Sequence, residues 1–489
     1  MTRPHIFIII GDCLRAASAT EETMPFTTSF ADFNFEQCYA PSTWTLPSHA
    51  SLYSQQTPIE HGVSRRGTSL GASQAVLPKI AHENGYQTGL FSENPTFSTH
   101  LGFDDGIDFV DDFINSKRFI SDFSTEAVVE GVSISDGIRV LDEVRSRPNK
   151  IKNLLNALYG PFSYAIGSDT TYPHHGKRVC DHVISYSKNN QTKQLFSFIN
   201  FLDPHNPHHA PPKRAARDVE LAVPQNEREA LWAASDNKEY LLADPNDLPA
   251  GVRRHFNSWD AVFTRQEEIY RTQVRYFDML VENWVAEMSD NLLRDSLIIV
   301  TGDHGQLFGV EGMVGHHTSL HPHGVQVPLF VSTPESWGTQ KTGNATPVSW
   351  LGLSQTLGEV ACGDITDPLG FNDRLTETST GPDGVVITVD GPTWNVSELR
   401  KEYNDDQVDT LAIRKVGLVW DDRMDVFASP WKDESITHTA YDLHNDTRTE
   451  ISDANEPALA TEYECWLLNQ PDDEISATVS NRLKQLGYV

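Results

Sequence analysis

Three stretches of this chain are too apolar to lie anywhere but inside. His5-Ile6-Phe7-Ile8-Ile9-Ile10 and Leu297-Ile298-Ile299-Val300 run almost without interruption, and Leu195-Phe196-Ser197-Phe198-Ile199-Asn200-Phe201 is broken by only two uncharged polar residues. A strand with one face in water alternates apolar and polar side chains. Unbroken β-branched and aromatic runs therefore belong to strands covered on both faces. Strand and helix patterns alternate up to about residue 335, which predicts an α/β domain with a mostly parallel sheet between helices. Each run ends in polar residues: Gly11-Asp12, Leu202-Asp203 and Gly302-Asp303-His304. Ligands bind such sheets at the carboxyl ends of the strands. One Asp after a strand is often only a turn residue, but the two Gly-Asp endings form a more specific pair.

Between these strands lies Thr43-Trp44-Thr45-Leu46-Pro47-Ser48-His49-Ala50-Ser51, followed by Thr57-Pro58-Ile59-Glu60-His61-Gly62. Residues 48–53 suggest a helix, for which Thr45 is an ordinary N-cap. The alternative is a nucleophile, because a nearby cation can activate a weak hydroxyl. Histidines gather in two further phrases. Asp203-Pro204-His205-Asn206-Pro207-His208-His209 follows the second apolar run, and Gly315-His316-His317 precedes Val327-Pro328-Leu329-Phe330-Val331. A proline-rich surface loop accounts for His208 and His209 but poorly for His205. His205 and His316 are candidate proton donors or anion contacts.

These phrases together resemble the sulfatase family of the alkaline phosphatase superfamily. Thr45-Leu46-Pro47-Ser48-His49 is similar to its signature, Cys or Ser-x-Pro-x-Arg. Thr301-Gly302-Asp303-His304-Gly305, Asp203-Pro204-His205, Gly85-Tyr86-Gln87-Thr88-Gly89-Leu90-Phe91 and Tyr441-Asp442-Leu443 match further family phrases in the family's order. The resemblance implies an alkaline-phosphatase-like fold and a divalent metal ion (calcium, manganese, magnesium or zinc) on Asp12, Asp303 and His304, with Thr45 completing the set. It implies leaving-group chemistry at His205 or His316, and substrate contacts from His49, Asn94 and His317. One ion is expected. Asp203 with His205, His208 or His209 is the candidate set for a second.

The departures carry chemistry. Sulfatases oxidise the signature Cys or Ser to formylglycine, but a secondary alcohol such as Thr45 cannot give an aldehyde. Thr45 would have to attack directly, and water would then release the product. That suits phosphoryl transfer, because a sulfo-threonine lacks the elimination exit of a hydrated aldehyde. Thr-x-Pro-x-His in fact resembles the nucleotide pyrophosphatase and phosphodiesterase branch of the superfamily. His49 stands where the signature has Arg, and Gln326 replaces another Arg. The Lys that follows the Gly-Tyr phrase in sulfatases is missing, and Asn94 is the nearest polar substitute. Cys13 stands where many sulfatases have a second Asp. It is either a soft ligand favouring zinc over calcium or a small buried side chain. Arg15 reads as a structural ion-pair former.

Composition narrows the partners. Asp and Glu number 68 against 38 Lys and Arg, a net charge of −30 spread along the chain. Nucleic acid is not expected as a partner. Such dispersed acidity resembles halophilic proteins from salt-accumulating organisms. No run approaches the ~18–20 apolar residues of a membrane span, and residues 5–10 lack the flanks of a signal peptide. Five scattered cysteines suggest reduced thiols and a cytoplasmic protein.

The expected organisation is a catalytic domain over 1–345, with insertions at about 110–190 and 211–255, and a smaller antiparallel α+β subdomain over 346–489. Helices are expected at Gly137–Arg147, Lys150–Tyr159 and Thr264–Met288. Strands are expected at Val385–Val389, Leu411–Trp420 and Ile436–Leu443. The expected activity is metal-dependent hydrolysis of a small anionic ester or a sulfated or phosphorylated glycan, with a phosphodiester or phosphonate favoured. The alternatives are a sulfatase working without formylglycine and a non-catalytic metal-containing binding protein.

Overall fold

The computed structural model describes residues 3–65, 68–112, 176–208, 250–338, 342–379, 384–391, 396–430, 435–443, 447–449 and 459–468, together with residues 227, 230, 231, 234, 241–243 and 248. The expected helices at 137–147 and 150–159, and most of the 211–255 excursion, lie outside the described residues.

The strands are, in chain order, β1 (His5–Gly11), β2 (Phe33–Tyr39), β3 (Gln87–Ser92), β4 (Phe109–Asp111), β5 (Leu195–Phe201), β6 (Ser296–Gly302), β7 (Gln326–Ser332), β8 (Thr342–Asn344), β9 (Val348–Ser349), β10 (Val385–Asp390), β11 (Ile413–Trp420), β12 (Arg423–Pro430), β13 (Thr437–Asp442) and β14 (Thr447–Thr449). Among the described residues, the first nine form one sheet in the order β4-β3-β5-β1-β6-β7-β2-β8, with β9 beside β2. β4, β3, β5, β1 and β6 are mutually parallel, and β7 runs against both β6 and β2. The three apolar runs are the adjacent central strands β5, β1 and β6, and every residue of each is buried.

Both faces of this sheet are covered, which is why those strands show no alternation. One face packs on helices Thr45–Ser54, Val76–Glu83 and Trp350–Cys362. The other packs on helices Gly176–Asn189 and Trp259–Glu287, with Phe7 against Trp284 and Phe201 against Phe277. The long helix begins five residues before the expected Thr264, because Ser258 caps it by accepting from the Ala261 N–H. Trp259, Val262 and Phe263 then extend its buried stripe.

The last five strands form a separate antiparallel sheet in sequence order. It contains the three expected strands and also β12, whose Asp425 is buried between Arg423 and His438. Residues 348–379 pack on the large sheet, through β9 on β2 and helix Trp350–Cys362 on helix Thr45–Ser54, so the second sheet begins only at Val385. No described helix is long and apolar enough to cross a membrane.

Candidate active site

The carboxyl ends of β1, β3, β5 and β6 deliver Asp12, Asn94, His205, Asp303 and His304 to one edge of the sheet. Thr45 arrives from the chain after β2, at the first turn of helix Thr45–Ser54. That helix has Trp44 as its cap residue, with no side-chain cap on its first N–H groups. Its amino end thus presents the Thr45 and Leu46 N–H groups and the positive end of its dipole to an anion. Thr45 is not the helix's cap but its first residue.

The side chains meet closely. Thr45 Oγ1 lies 3.3 Å from His304 Nε2 and 3.5 Å from Asp12 Oδ2, and it accepts from the Asn94 amide at 3.1 Å. The same amide donates to Asp12 Oδ2 at 2.6 Å. Asp303 Oδ1 accepts from the Cys13 and His304 N–H groups at 3.1 and 3.0 Å. Two close approaches make this turn possible. A β-carbon at Gly302 would stand 2.1 Å from the Leu14 carbonyl oxygen, and one at Gly305 would stand 1.9 Å from that of His323. Only glycine fits on either side of the Asp-His pair.

Electrostatics here call for a cation. Asp12 Oδ1 and Asp303 Oδ2 are buried and accept no hydrogen bond among the described residues. Burial, and then the Asp12 charge, push the Asp303 carboxyl well above the usual carboxylate range. Burial also lowers the His304 imidazole to about 4. It is therefore neutral at pH 7, with Nδ1–H donating to the Gly305 carbonyl at 3.0 Å and the Nε2 lone pair directed at the cluster. Nε2 is 3.8 Å from Asp12 Oδ1 and 3.5 Å from Asp303 Oδ2. Two orphaned carboxylate oxygens, one neutral imidazole and one hydroxyl fit a divalent ion, and the oxygen-rich set suits magnesium, manganese, calcium or zinc.

Histidines line the next layer. The His316 ring lies 4.5 Å from that of His304, 4.2 Å from that of His317 and 5.4 Å from that of His205. His317 holds a left-handed φ of 110°, and its carbonyl accepts from the Thr43 hydroxyl. Backbone strain of this kind gathers at functional sites. His49 is placed differently from the other expected substrate contacts. It is fully buried, packs on Phe97 at 3.9 Å, and has Nδ1 3.0 Å from the Thr45 carbonyl and 3.7 Å from Asp303 Oδ2. It backs Asp303 rather than facing the opening.

Sequence reasoning missed three supports. Gln306 Oε1 lies 3.0 Å from His316 Nδ1, and its only signal was its place three residues past Asp303. Tyr270 donates to the Cys13 carbonyl at 2.8 Å and accepts from the Arg15 N–H at 3.0 Å, which pins the turn after β1. Nothing in the sequence marked it. Arg15 is buried in an ion pair with Glu267, as a structural arginine should be, and its guanidinium lies over the Phe308 ring at 5.1 Å. The third support is Arg178, which pairs Glu93 at 3.2 Å and Asp111 at 3.2 Å and so fixes the loop that carries Asn94.

Residues 4–362 match the family model described as Sulfatase. Comparison with curated protein sequences gave no match. Among solved structures, the chain is similar to the phosphonate monoester hydrolase of Agrobacterium radiobacter, at 16% identity and a TM-score of 0.58 over 91% of this chain and 90% of that one. It is similar to BT1596, a 2-O GAG sulfatase, at 13% identity and a TM-score of 0.58 over 99% and 92% of the two chains. It is also similar to the phosphonate monoester hydrolase SpPMH from Silicibacter pomeroyi, at 15% identity and a TM-score of 0.57 over 99% and 94%.

Proposed function

Since the chain belongs to the sulfatase family, within the alkaline phosphatase superfamily of ester hydrolases, we propose that it hydrolyses a small anionic phosphodiester or phosphonate ester through a covalent bond to Thr45. The observation that carries this reading is the surroundings of Thr45 Oγ1, with His304 Nε2 at 3.3 Å, the Asn94 amide at 3.1 Å and the uncapped helix amino end behind it. A divalent ion on Asp12, Asp303, His304 and Thr45 would supply Lewis acidity and lower the pKa of the hydroxyl.

The chain's own residues do the rest. Thr45 Oγ attacks phosphorus, and its proton leaves to solvent. The helix N–H groups take up the negative charge on the transferred group, and the Asn94 amide orients the Thr45 oxygen. His317 adds a polar contact. His205 and His316, beside the ion ligand His304, neutralise the charge that develops on the departing oxygen. That oxygen takes a proton from solvent by way of His205 or His316 and leaves as an alcohol, and water then forms the new bond to phosphorus. The Thr45–phosphorus bond breaks and Thr45 regains a proton. His49 acts behind this machinery, holding Asp303 against its ligand position.

Anions must approach a chain of net charge −30. Attraction at the site must therefore come from these local groups, helped by the ~3 Å Debye length of molar salt. The direct test is turnover of matched p-nitrophenyl sulfate, phosphate, phosphodiester and phenylphosphonate in high-salt buffer, with each divalent metal in turn. Phosphodiester or phosphonate turnover that Thr45→Ala abolishes supports the reading. Faster sulfate turnover overturns the substrate assignment, and tight binding without turnover overturns the enzymatic one.

A further inference from the structure

A second constellation stands beside the first. Cys13, His205 and His316 each offer one ligand atom, and the three atoms lie within 4.8 Å of one another. Asp12, Cys13 and His304 form a neighbouring group of the same kind. Of the residues expected from sequence to hold a second ion, His205 belongs to this group, while Asp203 and His208 face other partners. A β-carbon on Gly176 would stand 1.9 Å from Asp203 Oδ2, so that carboxylate faces helix Gly176–Asn189. His208 Nδ1 is 2.9 Å from Gln273 Oε1, and its ring packs on Phe308 at 5.1 Å. His209 lies outside the described residues.

We propose that Cys13, His205 and His316 form a second metal site, one that selects a soft divalent ion such as zinc. The site stands on those three donors alone. Its role, neutralising the leaving oxygen, rests on the function proposed above.

The backbone invests in this arrangement. Cys13 holds a left-handed φ of 60°. Glycine adopts that conformation freely, whereas a residue with a β-carbon is strained there. The strain is held by the Asp303 carboxylate on the Cys13 N–H and by Tyr270 on its carbonyl. It turns the thiol toward the histidines, with Sγ 3.7 Å from His316 Nδ1. Gln306 sets the His316 tautomer: Nδ1–H donates to Oε1 at 3.0 Å, which makes Nε2 the deprotonated, ligating nitrogen. One sulfur and two nitrogens prefer zinc to magnesium or calcium, and three protein ligands with an open position are the pattern of a catalytic rather than a structural zinc. Zn–N bonds of ~2.0–2.1 Å and a Zn–S bond of ~2.3 Å put tetrahedral donors about 3.4–3.6 Å apart.

The test is metal content and spectroscopy on the full chain, in a Cys362→Ser, Cys465→Ser background that removes the two exposed thiols. Metal-free protein is titrated with zinc and, separately, with cobalt. We expect two bound equivalents, a sulfur scatterer at about 2.3 Å in zinc X-ray absorption, and a thiolate-to-cobalt charge-transfer band. Cys13→Ser should lose the band and one equivalent. Gln306→Leu should keep the band but weaken that equivalent about 10–100-fold, the usual effect of losing an outer hydrogen-bond partner. Asp303→Asn should lose the other equivalent and keep the band, so failure of the first ion site and failure of this one read out separately. Absence of sulfur from the zinc spectrum overturns the proposal. So does a band that vanishes in Asp303→Asn, which would mean a single ion on Asp12, Cys13 and His304. The wild-type spectra decide the matter even if Cys13→Ser does not fold.

Discussion

Replacing Asn94 by alanine removes one amide that touches both ends of the proposed nucleophile's activation. The amide is buried, 2.6 Å from Asp12 Oδ2 and 3.1 Å from Thr45 Oγ1, and its own carbonyl is fixed by the Thr96 N–H at 2.8 Å and hydroxyl at 2.7 Å. Without it, Asp12 Oδ2 keeps the weaker 3.5 Å contact from Thr45, and Thr45 loses the donor that orients its lone pair. A hydrogen bond to a charged group contributes about 1.5–3 kcal/mol, and a preorganised donor to a developing anion is worth about 10²–10³ in kcat. Asn94→Ala should therefore fold but lose roughly two to three decades of kcat, with a smaller change in KM, because the amide matters most in the transition state. Thr96→Val, which keeps the N–H contact to Asn94 Oδ1, should lose no more than about tenfold. The assay is steady-state turnover of the best ester at saturating metal, with circular dichroism to confirm folding. A folded Asn94→Ala enzyme with kcat within about threefold of wild type would refute the role given to Asn94.

Other perturbations test other parts. Asp303→Asn removes an acceptor whose second oxygen accepts no hydrogen bond among the described residues, so we expect loss of metal-supported turnover and of one bound metal equivalent; steady-state assays and elemental analysis check both. Asp390 is buried between Arg65 at 2.8 Å and Arg414 at 2.6 Å. Burial pushes its carboxyl up, but the two guanidinium groups prevail and hold it below the ordinary value. Its contribution is thus present above the unfolded pKa of about 3.9 and is lost as pH falls through the lower folded value. Asp390→Asn should cost about 3–5 kcal/mol at neutral pH, and denaturant titrations should show that gap closing in acid; a gap that grows in acid contradicts the assignment. Stability should rise with potassium chloride up to molar concentration as like charges are screened, and equal melting temperatures in dilute buffer and molar salt would sink the halophilic reading.

What the sequence made legible follows from burial. β1, β5 and β6 were readable because both their faces are covered, and the residues just past their ends point to one edge of the sheet. β12 was not readable: Arg423 and Asp425 look like surface charge until Asp425 is seen buried against Arg423 and His438 from the neighbouring strand. Thr45, Asp12, Asp303 and His304 could be singled out from their phrases. Their mutual distances could not, because they join segments nearly 300 residues apart. Asn94 read as a substitute for a missing lysine. Its hydrogen bonds to Asp12 and Thr45 depend on the β3–β5–β1 strand order, which no local pattern encodes. The same holds for His49, whose place behind Asp303 comes from the rotation of a fully buried helix.

The central claim is that Thr45 itself becomes covalently attached to the transferred group. The most direct measurement is an acid quench during turnover of a phosphodiester or phosphonate ester, followed by mass spectrometry of the peptide containing residues 40–65. The account predicts a phosphoryl or phosphonyl mass on Thr45 that appears within the first turnover and is absent from Thr45→Ala. Full turnover with no label on Thr45, or turnover that survives Thr45→Ala, would contradict it.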